Sequence, residues 1–184
     1  MANHASYADG LVLAAALPIP MRFVAKKELD RQFFTRVFLR RIRTLFVDRI
    51  DPEDSVEDSR NILETARRRE PLLFFPEGTF TRRAGLLGFR LGAFLIGARA
   101  GVPIVPVTLT GTRSILRDES WFPSRGEIRV EVAPPLMAEN DGFQAAIRLR
   151  DAARAEILRR CGEPDLVNER VRLANADRGR TVEV

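Results

Sequence analysis

Leu72-Leu73-Phe74-Phe75-Pro76-Glu77-Gly78-Thr79-Phe80-Thr81-Arg82 is the stretch that decides the fold. Its first four residues form an apolar run of strand length between Pro71 and Pro76, as a central parallel strand covered on both faces requires. The polar residues that follow lie where open α/β sheets hold their ligands, beyond the carboxyl end of a strand. Glu77 supplies an acid there, and Gly78 lets a ligand approach the backbone closely. Thr79 and Thr81 add hydroxyls, and Arg82 adds a planar fork suited to phosphate. By composition alone, the same residues read as a turn from strand to helix.

Working outward, Ser55-Val-Glu-Asp58 has the form of a helix start, and Val56, Ile62, Leu63 and Ala66 give that helix an apolar face. Before it, Met21–Ala25 and Leu45–Arg49 read as short strands. Between these two strands, Phe33, Phe34, Val37, Phe38, Ile42 and Leu45 recur at three- and four-residue steps among arginines. This predicts an amphipathic basic helix over Arg31–Leu45, either a domain helix with a solvated face or one lying on an anionic membrane. After the central stretch come a small-residue helix through Gly92–Ala98 capped by Gly101, a proline-bearing strand over Val102–Leu109 and an alternating strand over Ile128–Val132. A last helix runs from Phe143 to Arg160, with Ile147, Ala152, Ala155, Ile157 and Leu158 among its apolar positions and with Gly162 and Pro164 as stops. Strands and helices alternate without a repeat. The expected fold is therefore α/β, with a mostly parallel central sheet flanked by helices. The expected domain covers residues 1–164, with a polar tail over 165–184.

Composition narrows the function classes. The 184 residues, 45% hydrophobic, suffice for one domain with a sizeable core. One cysteine and one histidine supply neither an internal disulfide nor a four-ligand zinc site, so no metal is expected. Thirty Lys and Arg against 25 Asp and Glu give a formal charge of +5, which suits phosphates, acidic carrier proteins or an anionic membrane face. No apolar run reaches the roughly 20 residues that span a bilayer. A nucleic-acid module is disfavoured, since one Trp and one Tyr accompany the arginines and no nucleic-acid motif is present.

The first nine residues carry the candidate chemistry. His4, the sole histidine, precedes Asp9 by five positions. A hydroxyl substrate needs a group titrating near neutrality to take its proton, and Asp9 can hold the imidazole in one tautomer. In a continuous helix, positions five apart point roughly 140° away from each other. The pair therefore places His4 in a loop and Asp9 in or near the first turn of the helix that Gly10–Leu17 begins.

Four blocks in order resemble the glycerolipid acyltransferases of the lysophosphatidate acyltransferase type. Asn3-His4-Ala-Ser6-Tyr-Ala-Asp9 is similar to the family's His-x4-Asp block, which implies that His4 is the general base and Asp9 its orienting partner. Phe46-Val-Asp-Arg49 resembles the block whose arginine contacts the acceptor phosphate. Phe75-Pro-Glu-Gly-Thr79 resembles the block in which the Glu-Gly pair helps form the acceptor site. Val102-Pro-Ile-Val-Pro106 resembles the block that shapes the acyl side of the cleft. Phe23-Val-Ala-Lys26-Lys-Glu-Leu29 is also familial and implies a lysine, Lys26, near the acceptor. The resemblance runs from residue 2 to about residue 136. The Phe80-Thr-Arg82 version of the third block, with Gly-Thr-Arg113 after the fourth, looks like the acyltransferase part of fusions with an acyl carrier protein ligase.

Two departures from the family pattern shape the expectations. Phe80 stands where many members have arginine, so phosphate contact falls to Arg82, Arg83 or Arg90. Only three residues precede His4, where the family has a strand. The implied fold therefore lacks its first strand, the domain is N-terminally truncated, and the His4 loop is expected to be anchored on one side only. The implied function is transfer of a fatty acyl group from acyl-CoA or acyl carrier protein to the free hydroxyl of a lysophospholipid, at the cytoplasmic side of a membrane. Catalysis falls to His4 and Asp9. Acceptor binding falls to Lys26, Arg49, Glu77, Gly78, Thr79 and Arg82, and an oxyanion donor is expected among backbone N–H groups near Gly78. No cofactor beyond the thioester is implied. The alternative is a catalytically impaired remnant that binds lipid or acyl carrier protein.

Overall fold

The computed structural model of the protein describes residues 1–26, 44–47, 52–79, 83–115 and 124–168. The helix expected over Arg31–Leu45 lies outside these residues, except that Leu45 belongs to a strand. In chain order the elements are α1 (Asp9–Ala16), β1 (Arg22–Lys26), β2 (Leu45–Val47), α2 (Pro52–Arg67), β3 (Leu72–Leu73), β4 (Leu86–Leu87), α3 (Gly92–Ala100), β5 (Val107–Thr110), α4 (Thr112–Ile115), β6 (Arg129–Val132), α5 (Phe143–Cys161) and β7 (Asp165–Leu166).

β1 pairs in parallel with β2 on one side and with β3 on the other, while β5 pairs antiparallel with β6. Met1–Asn3 joins these two pieces. Ala2 N donates to Phe74 O at 3.0 Å, and Val107 N donates to Met1 O at 2.7 Å. Met1 N donates to Val105 O at 2.9 Å. The Asn3 side chain completes the seam as a surrogate peptide group. Its Nδ2 donates to Leu109 O at 2.9 Å, and its Oδ1 accepts from Leu109 N at 2.7 Å. The His4 loop is thus anchored on both sides of the seam, against the expectation of one. Short as it is, this segment has the two-residue period of a strand. Met1 enters the core beneath α3 and α5, and Ala2 enters the core beneath α1.

Those two cores lie on opposite faces of the sheet. On one, Leu13 of α1 meets Phe23, Leu73, Val107 and Leu109. On the other, Phe94 and Ala98 of α3 meet Ala146, Leu149, Ala153 and Ile157 of α5. The three- and four-residue steps of the α5 residues place them on one stripe, whereas Ala152 and Ala155 lie off it and are exposed. In α2 the stripe is Ile62 and Ala66, and Val56, expected on that face, is 72% exposed. Six residues before Ile62, Val56 is turned about 120° away from it.

Several expectations along the chain change in detail, and the strand read in Leu72–Phe75 covers only Leu72–Leu73. The strand foreseen over Val102–Leu109 begins only at Val107, because Pro103 and Pro106 cannot donate to a ladder. Ile104 instead exchanges two 2.8 Å backbone hydrogen bonds with Leu136. Asp165–Leu166, expected in the tail, pairs in parallel with β4 and so belongs to the folded unit. No helix among the described residues is long and apolar enough to cross a membrane.

Beyond Met1, the gap between Leu72–Phe74 and Val102–Val105 opens into an apolar cavity of about 550 Å³, also bounded by Leu17, Met21 and Ala66. Met1–Asn3 occupies the inner end of the sheet position expected to be empty.

Because Leu109 is only 1% exposed, Asn3→Ala strands its N–H and C=O in the interior. At about 1–3 kcal/mol per buried group, urea denaturation should show a loss of about 2–6 kcal/mol, and a loss below about 0.5 kcal/mol would contradict the seam.

Candidate active site

Asp9 opens α1 and is fully buried. Its Oδ2 accepts three hydrogen bonds, from His4 Nδ1 at 2.9 Å, Ala5 N at 2.6 Å and Ser6 N at 2.8 Å. The two backbone donors wrap residues 4–6 around the carboxylate. This is the bent entry that the five-residue spacing demands. Ser6 tightens the same turn, with its Oγ accepting from Ala8 N at 3.2 Å. The second carboxylate oxygen, Oδ1, is buried and without a hydrogen-bond partner.

An ionised carboxylate only accepts, so Nδ1 of a neutral His4 carries the ring proton and Nε2 carries the lone pair. The imidazole is one-fifth exposed, enough for a substrate to reach it. Its plane is set by Phe75, whose ring stacks on it with centroids 4.3 Å apart and planes 20° apart. Asp9 therefore fixes the tautomer, and Phe75 fixes the ring.

Glu77 holds His4 from the other side. Its Oε1 accepts from His4 N at 2.7 Å and its Oε2 from Leu87 N at 2.9 Å. The residue is 1% exposed, so these oxygens act as a buried strap between the His4 loop and β4. Burial raises its pKa from 4.5 to about 7, against the backbone N–H groups of His4 and Leu87, which favour the charged form. Gly78 has φ of 73°, a conformation that glycine adopts at no steric cost. Its N–H donates to Phe75 O at 3.0 Å and so closes the turn. That N–H is committed within the turn.

The structure brings together His4, Asp9, Glu77 and Gly78, and it places Thr79 exposed at the outer end of the same turn. Lys26 ends β1, in register with Val47. Arg49 and Arg82 lie outside the described residues. Sequence reasoning missed the Asn3 seam and the Phe75 stack. Their signals were present as the residues directly preceding His4 and the Pro-Glu-Gly turn, but neither residue type is distinctive of those roles.

An α/β sheet presents, at its seam, a histidine held by a buried aspartate, an arrangement that general-base chemistry can use. The chain belongs to the acyltransferase family, whose model matches residues 1–110. It is 30% identical over 143 residues to a 1-acyl-sn-glycerol-3-phosphate acyltransferase of Saccharomyces cerevisiae, covering 76% of this chain and 47% of the yeast protein. A Chlamydomonas reinhardtii protein of the same name is 30% identical over 177 residues, covering 95% of this chain and 51% of that protein. The chain thus spans about half the length of these curated relatives. Among solved structures, the 1-acyl-sn-glycerophosphate acyltransferase PlsC of Thermotoga maritima matches with a TM-score of 0.71 and 24% identity, over 86% of this chain and 62% of that one. This likeness shows the shared fold.

The raised pKa of Glu77 has a defined consequence for stability. The folded form binds this proton more tightly than the unfolded form, so the stabilisation is full below about pH 4.5 and is lost as pH rises through about 7. By the size of the shift this amounts to about 3 kcal/mol, and Glu77→Gln should flatten the slope of stability between those pH values. Parallel pH series of denaturation midpoints that keep the same slope would contradict the assignment.

Proposed function

We propose that the protein is an O-acyltransferase that moves a fatty acyl group from a thioester to the free hydroxyl of lysophosphatidate. The observation that carries this reading is the 2.9 Å contact of His4 Nδ1 with the buried Asp9 carboxylate, in a chain of the acyltransferase family. In the reaction, His4 Nε2 removes the hydroxyl proton as the oxygen attacks the thioester carbonyl. The tetrahedral intermediate expels thiolate, which takes the proton back from the imidazolium, so no covalent enzyme intermediate is required. Asp9 stabilises the imidazolium through Nδ1.

The names of the relatives support lysophosphatidate as the acceptor, and the arginine-rich composition suits its phosphate. Arg49, Arg82 and Lys26 are the proposed phosphate contacts, with acyl-CoA or acyl carrier protein as donor. The reaction balances with thioester and acceptor alone, so no further cofactor is invoked. A peripheral position on an anionic membrane surface fits the net charge and the apolar exposure beside the site. Tyr7, Leu11 and Ile19 are each more than half exposed, and no charged residue stands between Asp9 and Arg22. The rival reading, a remnant that binds without turnover, is disfavoured by the intact seating of His4.

With lysophosphatidate in anionic vesicles and both thioester donors, the wild type should transfer acyl groups and His4→Ala should lose about 10²- to 10⁴-fold in rate. Transfer by the variant at the wild-type rate would overturn the assignment, and binding without turnover by the wild type would favour the remnant. The protein should also sediment with such vesicles at low salt, and retention in the supernatant would contradict the surface reading.

A further inference from the structure

The strap that Glu77 forms ends on β4, and β4 is held from the far end of the chain. Glu163, just past α5, accepts from Gly85 N at 2.8 Å through Oε2. Its carboxylate is gripped by Arg113, with Nε on Oε1 and Nη2 on Oε2, both at 3.1 Å. This is the paired-fork geometry that fixes orientation as well as charge. Both side chains are less than one-quarter exposed. The adjoining ladder repeats the attachment, with Leu86 opposite Asp165 and Leu87 opposite Leu166. Gly85 has φ of 146°, and a Cβ there would come within 2.2 Å of Leu166, so the two segments are in close contact.

We propose that the Arg113–Glu163 ion pair is a positioning element of the acyl-transfer site, fixing the Gly85–Leu87 edge on which Glu77, and through it the His4 backbone, is set. Glu163 lies beyond the residues matched by the family model, and Arg113 also falls outside them. The proposal rests on the reading of His4 as the base. A contact chain of His4 N, Glu77, Leu87 N, β4, Gly85 N, Glu163 and Arg113 links the base to the pair without a gap. Beside the larger effect of burial, the charge of Glu163 raises the pKa of Glu77 and that of Arg113 lowers it. Cys161, buried at the end of α5, is the neighbouring thiol and also feels both carboxyls. His4 meets Glu77 through its backbone N–H.

Because the pair's two members bear opposite charges, two substitutions that break the same ion pair separate positioning from mere bracing. In the full chain, Glu163→Gln should move the acid limb of the kcat/KM profile to lower pH, and Arg113→Gln should move it to higher pH. Arg113→Lys keeps the charge but loses the fork. It should leave the limb in place while lowering kcat by about 10- to 100-fold with little change in KM, as misplacement of a catalytic group does. Thermal midpoints across pH 4.5 to 8 read the Glu77 titration without turnover, and the two glutamine variants should shift it in the same opposite senses while Arg113→Lys leaves it in place. Equal losses in both glutamine variants, with pH curves unmoved or moved together, would overturn the proposal. A wild type without acyl transfer would overturn the acyltransferase reading instead, and the midpoints would still decide whether the pair acts on Glu77.

Discussion

One carboxylate oxygen, Asp9 Oδ2, gathers the His4 ring and the backbone N–H groups of Ala5 and Ser6, and the shape of the site follows from this gathering. Without it, two residues five apart at the mouth of a helix would diverge. With it, the chain must bend before α1, and the bend brings the imidazole back over the carboxylate. Full burial of Asp9 removes competing water, which strengthens each of these hydrogen bonds.

The bend has to be held against the sheet, and two devices do so. Met1–Asn3 fills the seam between the parallel strands and the β5–β6 hairpin, with the Asn3 amide completing the hydrogen bonding at Leu109. Glu77 ties the backbone of His4 to β4. Together they fix His4 at its backbone as Asp9 and Phe75 fix its ring. A side chain held at four points keeps its geometry when a ligand arrives, and orientation of that kind is what a catalytic group needs.

Much of this was legible in the sequence, because the relevant signals are local. The apolar run Leu72–Phe75, the helix from Asp9, the caps at Gly101 and Gly162 and the spacing of His4 from Asp9 each depend on neighbouring residues. What was not legible depends on distant ones. β4 and β7 are two-residue strands whose pairing crosses the length of the domain, too short for any period to appear. Glu77 reads as a ligand contact at a strand end, and only the fold shows both its oxygens turned inward onto backbone N–H groups. The Pro-Glu-Gly stretch reads as a source of backbone donors near Gly78, and only the turn shows the N–H of Gly78 itself given to Phe75. Val56 reads as a core-face residue of α2 by its apolar identity, and the stripe that Ile62 and Ala66 define leaves it outside.

That His4 is a base preset by Asp9, with its proton on Nδ1 and its lone pair on Nε2, is the claim on which the chemistry stands. His4 is the only histidine in the chain, so ¹⁵N-histidine labelling gives a spectrum of one imidazole. Above the ring's titration, wild type should show a protonated, pyrrole-type Nδ1 and an unprotonated, pyridine-type Nε2, and Asp9→Asn should lose that bias. A wild-type ring with its proton on Nε2, or a tautomer mixture unchanged by Asp9→Asn, would contradict it.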